Sequence, residues 1–298
     1  MKVEFALKNF RSGTMELIQK CNAILEGYAA QGFDMTLRQL YYQLVQANEI
    51  PNNKREYDRL GDTVNNARLA GLIDWAHIVD RTRKLETLAT WESPNEVIDA
   101  VSRQYRIDKW KGQTFRPEVW IEKQALAGVF ERVCTEVEVP VFSCRGFPSC
   151  TAMFDASERF QSYLQKGQTP YILHFGDHDP SGVDMTRDII DRLRTFKTSP
   201  KIERLALNIG QVEAYQPPPN FCKLSDSRSK AYIQKFGRES WELDALQPDV
   251  LSALVRDEIE NLIDTDVWAA AAAREMEQVE VLRKISDRFD DVMAFLAA

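Results

Sequence analysis

From Glu118 onward the chain alternates short β-like runs with helical stretches, and no other feature restricts its fold so tightly. EVWIE (118–122), VPVFSC (139–144), YILHFG (171–176) and ERLALNIG (203–210) are rich in the branched and aromatic residues that buried strands favour. Between them lie KQALAGVFERVCTEV, PSCTAMFDASERFQSYLQKG and MTRDIIDRLRTF, each with apolar residues at helical spacing. Strands separated by helices of this length predict the parallel sheet of an α/β domain.

In such a sheet, functional groups gather outside the carboxyl ends of the strands. That rule selects Glu122, at the end of EVWIE, and Asp177 and Asp179, just beyond YILHFG. If the first and third strands are neighbours, the three carboxylates converge, and two-residue spacing in extended chain puts Asp177 and Asp179 on one side. Carboxylates this close repel unless a cation lies between them. Oxygen ligands of this kind suit Mg²⁺, with Mn²⁺ as a substitute, and phosphoryl transfer is the chemistry such an ion usually serves.

The same stretch, GDHDPSGVDMTRD, allows other readings. Its aspartates, serine and glycine imitate an EF-hand loop, but it follows a β-like run and carries Pro180 at the fourth loop position. A phosphatase could use one aspartate as nucleophile. Asp179 is also placed to cap the helix that follows, which would explain one aspartate and leave Asp177 unexplained. His178 is read as packing or hydrogen-bonding, since only His174 is near enough to join it on a metal.

The N-terminal part reads as helical. Met15, Leu17, Ile18, Cys21, Ile24 and Leu25 recur at three to four residues, and Gly32 follows as a stop. A second helix starts after Thr36 as N-cap, with Leu37, Leu40, Tyr41 and Leu44 on one stripe, and Pro51 ends it. EYDRLGDTVNNARLAG reads as a third helix ending near Gly71, before a short strand or turn. This order is that of a CAP-like winged helix-turn-helix, whose last helix enters the major groove of DNA. Lys54, Arg55, Arg59, Arg68, Arg81, Arg83 and Lys84 cluster around it, either as a phosphate-binding face or as a solvated one. Residues 88–116 show no sustained period and read as a connecting segment. The expected domains are 1–110 and 111–298, the second closing in a helical tail that includes the alanine run 269–273.

Charge divides along the same line. Residues 1–111 hold 16 Lys and Arg against 15 Asp and Glu, whereas residues 112–298 hold 22 against 30. An acidic half that meets an acidic polymer needs bound cations, and basic clusters elsewhere must steer the approach. The five cysteines form no CxxC pair and have few histidines beside them, so buried free thiols are expected rather than zinc ligands or disulfides. No run of about 18 apolar residues occurs and the N-terminus lacks a secretory apolar stretch, so no membrane association and a cytoplasmic, nucleoid-associated location are expected.

The motifs WIEKQAL (120–126), RGFPS (145–149), GDHDPSG (176–182) and WELDAL (241–246), with TLRQLYY (36–42) upstream, resemble the A subunit of topoisomerase VI and its meiotic double-strand-break relatives. The resemblance covers about residues 36–260. It implies that the α/β domain is a Toprim domain binding Mg²⁺ through Glu122, Asp177 and Asp179. It also implies that Tyr42 is the nucleophile that forms a 5′-phosphotyrosyl link, with Arg38 on the scissile phosphate and Tyr41 packing. Lys123 and Arg145, inside two of the motifs, join Lys54, Arg55, Arg59 and Arg68 as expected contacts to double-stranded DNA. In the family two protomers form a homodimer in which the tyrosine of one meets the metal site of the other, and strand passage needs a separate B-type ATPase subunit. No Walker-type phosphate loop is present in this chain. Two other activities fit the same residues: a Toprim nuclease using metal-activated water, and a DNA-binding or architectural dimer that does not cleave.

Overall fold

The computed structural model describes residues 1–79 and 88–297. At the N-terminus, α1 (Ser12–Ala30), α2 (Leu37–Gln46) and α3 (Lys54–Leu69) bury Leu17, Ile18, Cys21, Leu25, Leu40, Leu44, Leu60 and Val64 against one another. Thr36 caps α2 in a reciprocal box with Gln39, as the sequence implies, and Asn53 caps α3 through the Glu56 amide at 3.0 Å. Gly71 ends this unit at φ +71°, where a Cβ would stand 2.8 Å from the Glu4 backbone nitrogen. Beyond it come a 3₁₀ turn, Trp75–His77, and the single bridges Glu4↔Ala70 and Met35↔Ile78; among the described residues this part has no longer strand. Arg81, Arg83 and Lys84 lie outside the described residues.

The stretch expected to be a mere connector contains a helix, α4 (Pro94–Gln104), capped by Ser93 with proline in its first turn. Val97, Ile98 and Val101 give the helix a short apolar stripe, although only Ser102 of α4 is buried. Its partner comes from far along the chain, in the C-terminal tail.

The α/β part runs β1 (Phe115–Ile121), α5 (Ala127–Glu136), β2 (Val141–Ser143), α6 (Cys150–Gln165), β3 (Thr169–Phe175), α7 (Pro180–Thr195) and β4 (Lys201–Ala206). These strands form one parallel sheet in the order β2-β1-β3-β4. β1 and β3 are therefore neighbours, paired from Phe115↔Thr169 to Ile121↔Phe175. Strand alternation sends Val119, Ile121, Leu173 and Phe175 to one face and Trp120 and Ile172 to the other, where α6 and α7 supply Met153, Phe160, Met185, Ile189 and Leu193. The strand order reverses between β1 and β3, and a crevice opens there at the carboxyl ends.

After α8 (Ile209–Tyr215) and the three prolines 217–219, β5 (Asn220–Phe221) pairs antiparallel with β6 (Glu239–Ser240) around α9 (Ser229–Phe236). A 3₁₀ turn, Leu243–Ala245, leads into α10 (Pro248–Leu262), which packs with α5 on the sheet. The tail is α11 (Thr265–Asp287) and α12 (Phe289–Leu296), with α11 lying along α4. Trp268 of α11 meets Trp110 edge to face at 5.6 Å, and Lys109 is held by Glu138 and Glu275 at 2.5 and 2.9 Å. Four cysteines are buried free thiols, those of Cys21, Cys134 and Cys144 pushed up to about 12 by burial; Cys150 departs from the expectation and is exposed at the start of α6. Among the described residues no helix is long and apolar enough to cross a membrane.

Candidate metal centre

The turn between β3 and α7 is built on close backbone approaches. Glu122 follows β1 and bonds through its amide to the Phe175 carbonyl at 2.9 Å, while its Oε2 accepts from the Asp177 amide at 2.9 Å. Arg204 of β4 reaches under the turn and donates to the carbonyls of Gly176, Asp177 and Gly182 at 2.9, 2.6 and 2.9 Å. Gly182 is required here, because a Cβ would stand 2.3 Å from the Asp177 carbonyl oxygen and 3.0 Å from Glu122 Oε2.

Among the described residues, Asp177, Glu242 and Asp244 bring carboxylate oxygens within 4.8 Å of one another and can hold a metal ion. The 3₁₀ turn after β6 delivers the last two, and its Leu243 amide donates to Asp177 Oδ1 at 2.8 Å, locking the turn onto the sheet edge. Lys123 Nζ stands among the three acids, 2.8 Å from Asp177, 2.5 Å from Glu242 and 3.2 Å from Asp244. Arg38 of α2 pairs with Glu242 and, at 3.0 Å, with Asp244.

The expected trio is divided by this arrangement. Asp177 belongs to the three-acid group. Glu122 lies behind it, tied to the Asp177 amide. Asp179 is the N-cap of α7, its Oδ1 accepting from the Gly182 amide at 2.6 Å, and it lines the Tyr42 pocket without joining the three-acid group. The bond satisfies an orphan amide of the helix, the capping role the sequence also offered for Asp179. His178 bonds to the Tyr232 hydroxyl at 2.7 Å and packs on Phe236 and Trp241, the structural role expected of it.

Tyr42 opens on the same place from the N-terminal helices. Arg38 Nη2 donates to its hydroxyl at 3.4 Å and Asn220 Nδ2 at 3.5 Å; the Asn220 amide also reaches Glu242 at 3.4 Å. Tyr41 is the packing tyrosine, edge-on to Tyr42 and Tyr57 at 5.2 and 5.3 Å, its hydroxyl donating to Asn52 at 3.0 Å. Arg38, Tyr42, Asn220, Asp179 and Glu242 line one pocket of about 580 Å³, all from a single chain.

Electrostatics follow from burial and pairing. Burial raises the Tyr42 phenol above its usual 10, the charges of Glu242 and Asp244 raise it further, and Arg38 opposes them. Burial also pushes Asp177 up to about 8 against the pull of Lys123. Burial would raise Glu242 as well, but Lys123 and Arg38 outweigh it and hold that carboxyl down to about 2. Lys123 is raised although burial opposes its charge, because Asp244, Asp177 and Glu242 surround it.

The expected DNA contacts separate into groups. Lys54, Arg55 and Arg59 are exposed on α3, with Lys54 on the pocket wall and Arg59 paired to Glu56 at 2.5 Å. Arg68 is committed to the carbonyls of Trp75 and Ile78 at 2.8 and 3.2 Å. Arg145 is exposed at φ +53°, and Lys123 belongs to the acid group. Glu242, Asp244, Asn220 and Arg204 were not singled out by sequence reasoning; the E-x-D spacing inside WELDAL, acids set among large apolar residues, was the available signal. No protein-family model matches the chain, and no curated protein matches it.

Proposed function

We propose that this chain is a Mg²⁺-dependent enzyme that binds double-stranded DNA through a CAP-like winged helix-turn-helix and cleaves it through Tyr42, using a Toprim metal site, in the manner of a topoisomerase VI A subunit. The observation that carries the reading is the junction at Glu242: it shares a pocket with Tyr42 and Arg38, Arg38 also pairs with Asp244, and both acids belong with Asp177 to the three-acid group although they lie far from Tyr42 in sequence. The donor set fits the ion. It offers only oxygen, from the carboxylates of Asp177, Glu242 and Asp244, which pair with Lys123 and Arg38.

Asp177, Glu242 and Asp244 would hold the ion, which would polarise the phosphodiester and offset the acids that keep Tyr42 protonated. Arg38, one helical turn before Tyr42, holds the scissile phosphate against the phenol, and Asn220 orients the hydroxyl. The Tyr42 oxygen forms a bond to phosphorus as the bond from phosphorus to the 3′ oxygen breaks. The phenol proton leaves to solvent and the 3′ oxygen takes one up, so the 5′-phosphotyrosyl link is near the energy of the bond lost and the step reverses. In a homodimer each chain would bring its own pocket to one strand, a departure from the family arrangement in which the tyrosine of one protomer meets the metal site of the other, with a B-type ATPase supplied separately for strand passage.

A second reading, hydrolysis by metal-activated water, draws on the 4% exposure of Tyr42 and its raised pKa. Supercoiled plasmid incubated with the protein and Mg²⁺, then quenched with detergent with and without protease, decides. Protease-sensitive protein–DNA adducts that vanish in Tyr42→Phe are expected. Free 5′-phosphate ends that survive Tyr42→Phe but not Asp177→Ala would indicate the nuclease. Tight binding without cleavage in Mg²⁺ or Mn²⁺ would indicate the architectural dimer.

A further inference from the structure

We propose that Lys123 is the resident counter-cation of the three-acid group, that a divalent cation enters by exchange with its ammonium, and that the displaced ammonium turns to the substrate phosphate. The inference rests on the metal-site reading above and adds a step to it. Lys123 Nζ lies within 2.5 to 3.2 Å of one oxygen each from Glu242, Asp177 and Asp244. An ion bound by the same carboxylates stands about 2.0 to 2.6 Å from their oxygens, so its position falls on that of the ammonium or directly beside it. Two cations do not share such a point.

The lysine is also suited to leave. Its ammonium donates to Glu242 and Asp244 and pairs with Asp177, so each contact is replaceable by a metal–oxygen bond without leaving an acid buried and bare. Its backbone sits just past the end of β1, on the loop before the 3₁₀ turn Gln124–Leu126, and a four-carbon stem lets the charge move while the strand stays fixed. Glu242, one of its partners, forms a wall of the pocket of about 580 Å³ that also holds Tyr42 and Arg38. Through Glu242 the ammonium is one side chain away from the space where a phosphate would lie. Arg38 shares Glu242 and Asp244 with Lys123, so the same exchange loosens both cations toward the substrate.

Mn²⁺ binding to the full chain, followed by water-proton relaxation, tests this in wild type, Lys123→Met and Asp177→Asn, with Lys123→Gln in reserve should the methionine variant not fold. Removing the competing ammonium is expected to tighten Mn²⁺ binding by about tenfold or more. It is also expected to lower the melting temperature of the metal-free protein, with Mn²⁺ restoring it. In wild type, acetylation of Lys123 read by mass spectrometry is expected to be slow without metal and faster with saturating Mg²⁺. Equal or weaker Mn²⁺ binding in Lys123→Met, alongside binding in wild type that Asp177→Asn abolishes, overturns the exchange and leaves the metal site standing. Absence of any binding that depends on Asp177, in wild type and Lys123→Met alike, overturns both.

Discussion

Asn220, at the base of the β5–β6 hairpin, donates its side-chain amide to the Tyr42 hydroxyl at 3.5 Å and to Glu242 at 3.4 Å, joining a helix of the N-terminal unit to the acids of the α/β unit. The bonds donated to the Tyr42 hydroxyl by Asn220 and by Arg38, the latter at 3.4 Å, are long, so neither contributes much to folding; the hydroxyl also bonds to Glu242. Tyr42→Phe is expected to change stability by about 1 kcal/mol in urea denaturation while abolishing covalent attachment to DNA. Asn220→Ala should retain attachment at a reduced rate.

Asp244 and Asp179 make a discriminating pair. Asp244 is fully buried, faces Lys123 and Arg38, and belongs to the three-acid group. Asp244→Asn is expected to weaken Mn²⁺ binding by about tenfold to a hundredfold, the scale on which site residues act. Asp179→Asn keeps a good N-cap, and titration with Mn²⁺ should show a change below about threefold; Asp179→Ala should cost about 1 kcal/mol of stability.

Gly182 is where fold and site meet. A methyl group there collides with the Asp177 carbonyl and presses on Glu122, so Gly182→Ala is expected to destabilise by about 2 to 4 kcal/mol and to weaken Mn²⁺ binding. Gly210→Ala has open space around the new methyl and serves as control, with stability unchanged or slightly raised in the same urea titration.

His174 gives the fold a dependence on pH. It is buried on β3 with Nδ1 2.8 Å from Thr186 Oγ1, and burial, with a smaller push from Arg204, holds its pKa down to about 3 from 6.5. The folded pKa lies below the unfolded one, so the contribution is present above about pH 6.5 and is lost as pH falls toward 3. Between about pH 6.5 and 4 the loss approaches 3 kcal/mol. Urea unfolding across that range should show wild-type stability falling with acid, and His174→Gln should flatten the slope.

The sheet and its switch point were legible because they depend on local pattern: apolar runs of strand length, helices of crossover length, and acids where the runs stop. Thr36 and Asp177 were legible for the same reason, each standing at the boundary of a periodic element. Asp179 was legible in one of its two readings, as the cap of α7, because a cap stands at the boundary of a periodic element. Glu242 and Asp244 lie on a turn whose Leu243 amide finds Asp177 across 66 residues, a contact that no local period encodes. The helix over Pro94–Gln104 was missed because its apolar stripe, Val97, Ile98 and Val101, spans little more than one turn and its neighbour, α11, is supplied from the far end of the chain.

Tyr42 and Glu242, one of the three acids, reach one pocket from a single chain, so under the proposed chemistry the encounter between nucleophile and electrophilic centre is set by folding and not by the meeting of two molecules. The rate at which bound DNA becomes attached should then be indifferent to dilution of the protein, and only the pairing of breaks on opposite strands should fade as concentration falls.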